Sequence, residues 1–187
     1  MKISPSQPSK YINLGIIKQP EVANALQEML RILDVMQQDI TKVINVNAEV
    51  VSFSVHKNGS NQSIPNNTYT KVTFSTEEFD IGGYFDTTNS RFTPPAGYYS
   101  FNASGLLLAS SDTHVIVLSL YKNGADYKRS SHNRASGTGS IGIDVNCLAK
   151  VNGTDYFELY IYQDNGLQSI SGAVVNSYFM GHRIGDL

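Results

Sequence analysis

A mainly β sandwich, preceded by one long amphipathic helix and an extended arm, is the fold class this sequence predicts. Three observations carry it. Prolines punctuate residues 1–20, apolar side chains then recur in steps of four and three, and from about residue 50 the period changes to two. A chain of 187 residues, 41% hydrophobic and 16% charged, suffices for one ordinary core plus an appendage.

Residues 1–20 hold Pro5, Pro8 and Pro20, with "KYINLGII" as the one apolar patch between them. Proline favours extended backbone and removes a donor, so this segment reads as an arm. A disordered terminus is the plain alternative. The arm's apolar residues, Tyr11, Ile12, Leu14, Ile16 and Ile17, are the expected anchors onto a partner protein.

Residues 21–49 read as a helix, with Pro20 just ahead of it and Glu21 in the first turn, where a negative charge suits the helix dipole. Val22, Leu26, Met29, Leu33, Met36, Ile40 and Val43 alternate in steps of four and three. That is a heptad seam. The alternative is a single amphipathic helix packed on its own domain. Leu30, Ile32 and Ile44 widen the stripe beyond a two-stranded seam, so a trimeric coiled coil is expected. Asn47 falls at the next core position, where a polar side chain can set register, or it marks the helix end.

From residue 50 to 187 turn signals recur, among them "KNGSN", "IGG", "TPPAG", "KNG", "SGTGS", "VNGTD" and "QDNG". Between them strands alternate: Val51, Phe53 and Val55; Ile141, Ile143, Val145 and Cys147; Phe157, Leu159 and Ile161. Many short strands in about 135 residues make a two-sheet sandwich economical. Opposite Phe157, Leu159 and Ile161 lie Tyr156, Glu158, Tyr160 and Tyr162. The three tyrosines are expected either to pack against another subunit or to form a solvated aromatic face.

Chemistry is scarce. The histidines at 56, 114, 132 and 182 form no metal or nucleophile motif, and no calcium-loop spacing links Asp80, Asp86, Asp112, Asp144 and Asp155. No catalytic residue, metal site or cofactor is therefore expected, and the chain reads as a non-enzyme. Cys147 is the sole cysteine and reads as a small buried apolar residue. A net charge of -2 and a pI near 6.0 imply attraction neither to nucleic acid nor to acidic membranes. The opening residues show no signal-peptide core and nothing is apolar enough to span a bilayer, so synthesis in a cytoplasm is expected. Asn58, Asn102 and Asn152 are then turn residues and not glycan acceptors. The stretch "YKNGADYKRSSHNRASGTGS" is expected to form long loops, either a plainly solvated basic loop or one in which Lys128, Arg129 and Arg134 contact an anionic cell-surface glycan.

The β segment resembles the globular head of complement first component subunit q and the tumour necrosis factor superfamily. The best marker is a strand opening of Phe, Pro, Gly, Tyr and Phe at fixed steps, supplied here by Phe92, Pro95, Gly97, Tyr99 and Phe101. "FSVHKNG", "LSLYKNG", "NGTDYFELYIYQ" and the closing Phe179, Met180 and Gly181 match further strands, so the resemblance covers residues 50–184. It implies a ten-stranded jelly roll that assembles as a homotrimer, with Tyr99 and Phe101 in the sandwich core or the trimer contact. Where animal members carry a secretory signal and a collagen-like stalk, this chain has a heptad helix. The arrangement resembles bacteriophage fibres: a virion protein, head fibre or tail fibre, in which an arm anchors, a coiled coil extends and a knob projects, with host attachment as a further role. A soluble complement-like ligand-binding module is the alternative.

Overall fold

The computed structural model describes residues 19–45, 50–108, 114–134 and 139–187, without the side chains of 42–45, 114 and 132–134. The chain divides between Ala48 and Glu49 into two compact units.

In the first unit, α1 spans Pro20–Asn45. Pro20 starts it with a pre-set φ, Glu21 favours the positive end of the dipole, and Glu28 pairs with Arg31 one turn on at 2.8 Å. Both partners are exposed, so solvent screens the pair and it contributes little to stability. Along the described helix the apolar seam is open: Val22, Met29, Leu33, Met36 and Ile40 are between 45% and 59% exposed.

The second unit is built of thirteen described strands: β1 (Ser52–His56), β2 (Gln62–Ile64), β3 (Thr70–Lys71), β4 (Thr76–Ile81), β5 (Phe85–Asp86), β6 (Arg91–Phe92), β7 (Gly97–Leu108), β8 (His114–Lys122), β9 (Ala125–Arg134), β10 (Ile141–Val151), β11 (Phe157–Gln163), β12 (Gln168–Ile170) and β13 (Tyr178–Gly185). They form two antiparallel sheets. The first runs β2-β12-β7-β13-β1-β4 with β10 on the other side of β7, and the second runs β5-β6-β11-β8-β9 with β3 also on β11. Thus the expected ten strands are exceeded, because short strands β2, β3, β5, β6 and β12 flank the long ones.

Period-two patterning decides which side chains meet between the sheets. Phe53, Tyr99, Phe101 and Phe179 from the first sheet face Phe92, Leu118, Leu120, Phe157, Leu159 and Ile161 from the second, all buried. The Phe53 ring lies 4.1 Å from Phe92, 4.9 Å from Phe179 and 5.3 Å from Phe85, measured between centroids. Tyr99 and Phe101 are therefore core residues. The turn before them is tied to the core by the Tyr99 hydroxyl, which donates to the Pro95 carbonyl at 3.0 Å. Cys147 sits half-buried at the rim of this core, where burial pushes its thiol up to about 11.

One loop expectation is corrected. Asn123 and Gly124 both take positive φ, 56° and 77°, which closes a two-residue hairpin whose twist suits the flanking strands. The chain from Ala125 to Arg134 accordingly pairs at once with β8 and forms β9 instead of a long loop. Its polar sequence hid it, because β9 ends the second sheet and has only one paired neighbour there.

Gly181 shows how tight the core is. A Cβ built there would lie 2.6 Å from Phe101 Cδ1 and 2.9 Å from Phe53 Cε1. Gly181→Ala should destabilise the domain by about 1–3 kcal/mol through overpacking, read as a lower urea midpoint at unchanged slope. Lys57 supplies a second test. It is only 4% exposed, its Nζ donates to Gln62 Oε1 and the Thr73 carbonyl at 2.9 Å each, and burial without a carboxylate pulls its pKa down to about 8 from 10.5. Unfolding then takes up a proton between those values, so this group makes the fold more stable as pH rises from 8 to 10.5. Cys147 acts in the opposite direction above pH 9, and comparison with Lys57→Met removes it. The stability difference between wild type and Lys57→Met should shift in favour of wild type across pH 8–10; a pH-independent difference would contradict it.

Candidate functional site

The outer faces of the two sheets differ in chemistry. On the second sheet, register places Tyr160 of β11 opposite Ser119 of β8, Tyr162 opposite Val117, and Glu158 opposite Tyr121. Tyr69, just before β3, closes the group. Its ring lies 5.0 Å from Tyr162 and 6.2 Å from Tyr121, and Tyr121 stacks on Tyr160 at 4.0 Å. All four tyrosines are half-buried. Tyr156 lies apart at the strand's start, with the Arg91 guanidinium 3.9 Å above its ring. Burial raises the pKa of Tyr160, reinforced by Glu158, and that of Tyr121, reinforced by Asp126.

Charge is layered on this face. Glu158, with a side chain 3% exposed, accepts from Lys71 at 3.0 Å and from Arg91 at 2.8 Å, while both cations reach solvent. Arg129 of β9 lies opposite Ser119, with its Nη1 donating to the Tyr69 hydroxyl at 3.3 Å and 3.4 Å from Asp126. The tyrosine hydroxyl and then Asp126 hold its guanidinium above the usual arginine range. Lys128 points differently. It pairs with Leu120 and its Nζ lies 5.3 Å over the Tyr127 ring, so Lys128 and Arg129 do not converge.

The first sheet's outer face has a floor of small polar residues. One row across it reads Leu148, Ser100, His182, Ser52 and Ile81, and the next reads Asn146, Asn102, Met180, Ser54 and Phe79. Leu148, Phe79 and Ile81 are exposed, as are Tyr98 and Ile184. No large hydrophobic side chain on the described second sheet is exposed in this way. A depression of about 350 Å³ is lined by Asn102, Asp144, Asn146, Tyr178 and Met180.

The structure brings Tyr160 and Tyr162 together with Arg129 and leaves Tyr156 and Lys128 at the margins. Arg134 lies on β9, with its side chain outside the description. Tyr11, Ile12, Leu14, Ile16, Ile17 and Asn47 lie outside the described residues, as does the side chain of Val43. On α1, Leu26 is half-buried and the remaining described seam residues are exposed. Sequence reasoning missed Tyr69, Tyr121, Lys71 and Arg91, which reach the face from other strands. The only local signal was the aromatic at 121, ahead of "KNG". Among the described residues no group of three His, Cys, Asp or Glu could hold a metal ion, and no helix is long and apolar enough to cross a membrane.

Among solved structures, the chain is similar to Eiger TNF from S. frugiperda (12% identity, TM-score 0.56, covering 74% of this chain and 95% of that one). It is also similar to murine APRIL (14%, 0.52, 72% and 98%) and to the globular domain of zebrafish complement 1qA (18%, 0.50, 73% and 99%). The fold is the jelly roll of tumour necrosis factor and complement 1q. At these identities the likeness is one of fold, and none of the three is named as an enzyme. No protein-family model and no curated protein sequence matches the chain.

The buried Glu158 makes this jelly roll's tyrosine face testable. Glu158→Gln removes the charge that Lys71 and Arg91 share, and should lower stability by about 2 kcal/mol, with the loss shrinking in the Lys71→Met, Arg91→Met background. A double-mutant cycle in urea reads the coupling, and additive losses would remove the pairing from the account.

Proposed function

We propose that this chain is a non-enzymatic structural protein that works as a homotrimer, a head or tail fibre subunit of a bacteriophage particle. The observation that carries the proposal is the uncovered heptad seam of α1, with Met29, Leu33, Met36 and Ile40 all exposed in the single chain. A 26-residue helix with such a stripe gains most of its stability from burying it, and other copies of the same helix are the simplest cover. The first sheet's outer face supports the same symmetry. Leu148, Phe79 and Ile81 at its two edges are exposed apolar surface that another copy would remove from water. The jelly-roll fold agrees, since the tumour necrosis factor and complement 1q heads it resembles assemble as trimers.

In this reading Val22, Leu26, Met29, Leu33, Met36, Ile40, Val43 and Asn47 form the coiled-coil contact. Residues 1–20 are held by a capsid or tail protein, and the jelly roll is the knob, with host attachment as a second role. The protein is then located in the virion after synthesis in the host cytoplasm. A complement-like soluble binding module is the second reading, favoured by the fold likeness to zebrafish complement 1qA. Copurification with virion proteins separates the two.

The native mass of the full chain, compared with that of a chain starting at Val50, tests the assembly. Three times the 20.5 kDa chain mass is expected for both. A trimer in the full chain alone would make α1 the organiser, and a monomer in both would end the fibre reading.

A further inference from the structure

We propose that the tyrosine face of the second sheet binds an anionic glycan, with a sugar ring against Tyr69 and Tyr162 and its acid group at Arg129. The inference rests on the host-attachment part of the reading above and requires that the copies meet elsewhere than on this face. Tyr69, Tyr121, Tyr160 and Tyr162 converge from three separate elements into one continuous stack, each half-buried and so still presenting ring surface to solvent. The polarised C–H face of a pyranose ring complements the negative face of an aromatic ring, and the phenol hydroxyls hydrogen-bond at the edges. A protein partner of the usual kind wants a contiguous apolar centre. This face has none: the exposed aliphatic and phenylalanine side chains of the described sheets lie on the first sheet.

Charge decides the class of sugar. The groups facing the stack are Lys71, Arg91, Arg129, Glu158 and Asp126, three cations to two carboxylates. They are also unequal in depth. Glu158 is buried at 3% exposure, while the Arg129 side chain is 59% exposed with its guanidinium against the Tyr69 hydroxyl. Asp126 is as exposed as Arg91, so the group that reaches furthest into solvent, and that an approaching ligand meets first, is Arg129. Arginine offers a planar fork matched to a carboxylate, sulfate or phosphate, and Arg129 uses only part of it on Tyr69 and Asp126.

The test is calorimetric titration of the full chain with galacturonate, hyaluronan and sialyllactose probes, beside maltohexaose as a neutral control. At least one acidic probe should bind, at least tenfold more weakly to Arg129→Gln and to Tyr69→Ala, and more weakly as salt is raised. Thermal melts check that Tyr69→Ala folds, and the exposed Arg129→Gln carries the test if it does not. Failure of every acidic probe to bind, equal binding of maltohexaose, or undiminished affinity in Arg129→Gln would overturn the proposal. A changed native mass in Arg129→Gln would overturn it too, by making the face a subunit contact. An unchanged trimer that binds no probe leaves the fibre reading standing, whereas a monomeric wild type that binds an acidic probe does the reverse.

Discussion

The Phe53 ring fixes the distance between the two sheets. It touches Phe92 across the gap and Phe179 on the neighbouring strand, and a bare glycine at 181 leaves room for it beside Phe101. Interiors packed to this density transmit rather than absorb a change in volume. β7 then follows by pairing. It bonds to β10 on one side and to β13 and β12 on the other, so the alternation of Tyr99, Phe101 and Ala103 inward forces Tyr98, Ser100 and Asn102 outward. Once the inner faces are set by the aromatics, both outer faces are determined.

Much of this was legible in the sequence. The inward alternations at 51–55, 141–147 and 157–161 are uninterrupted runs of period two, and each lands on the core. The Phe, Pro, Gly, Tyr, Phe spacing from Phe92 to Phe101 was legible because three packing constraints fall within ten residues: a turn, a hydroxyl tie to Pro95 and two buried rings. β9 was not legible. An edge strand needs few apolar residues, and "ADYKRSSHNR" carries only Ala125 and Tyr127.

The candidate site was half legible for a related reason. Tyr160 and Tyr162 announce themselves by local spacing, but Tyr69, Tyr121, Lys71 and Arg91 join them only through pairing between segments far apart in sequence, as with Lys71 and Glu158 at a separation of 87. Register is set by the buried face, so the outer partners of a tyrosine are consequences of Phe157, Leu159 and Ile161 finding their places. A single strand cannot show them.

The same logic divides labour between the faces. A subunit contact must exclude water over a broad area, which favours exposed apolar side chains; the first sheet presents Leu148, Phe79 and Ile81 at its edges, and the described second sheet presents none of that kind. A tyrosine cluster with Lys71 and Arg91 sharing the Glu158 carboxylate below it is costly to bury further, because the two cations would lose solvent without gaining a second carboxylate. Such a face is stable at the water boundary and rewards a partner that is itself hydrated. With the two chemistries on opposite sheets, assembly through the first, as proposed, would leave the second at the water boundary.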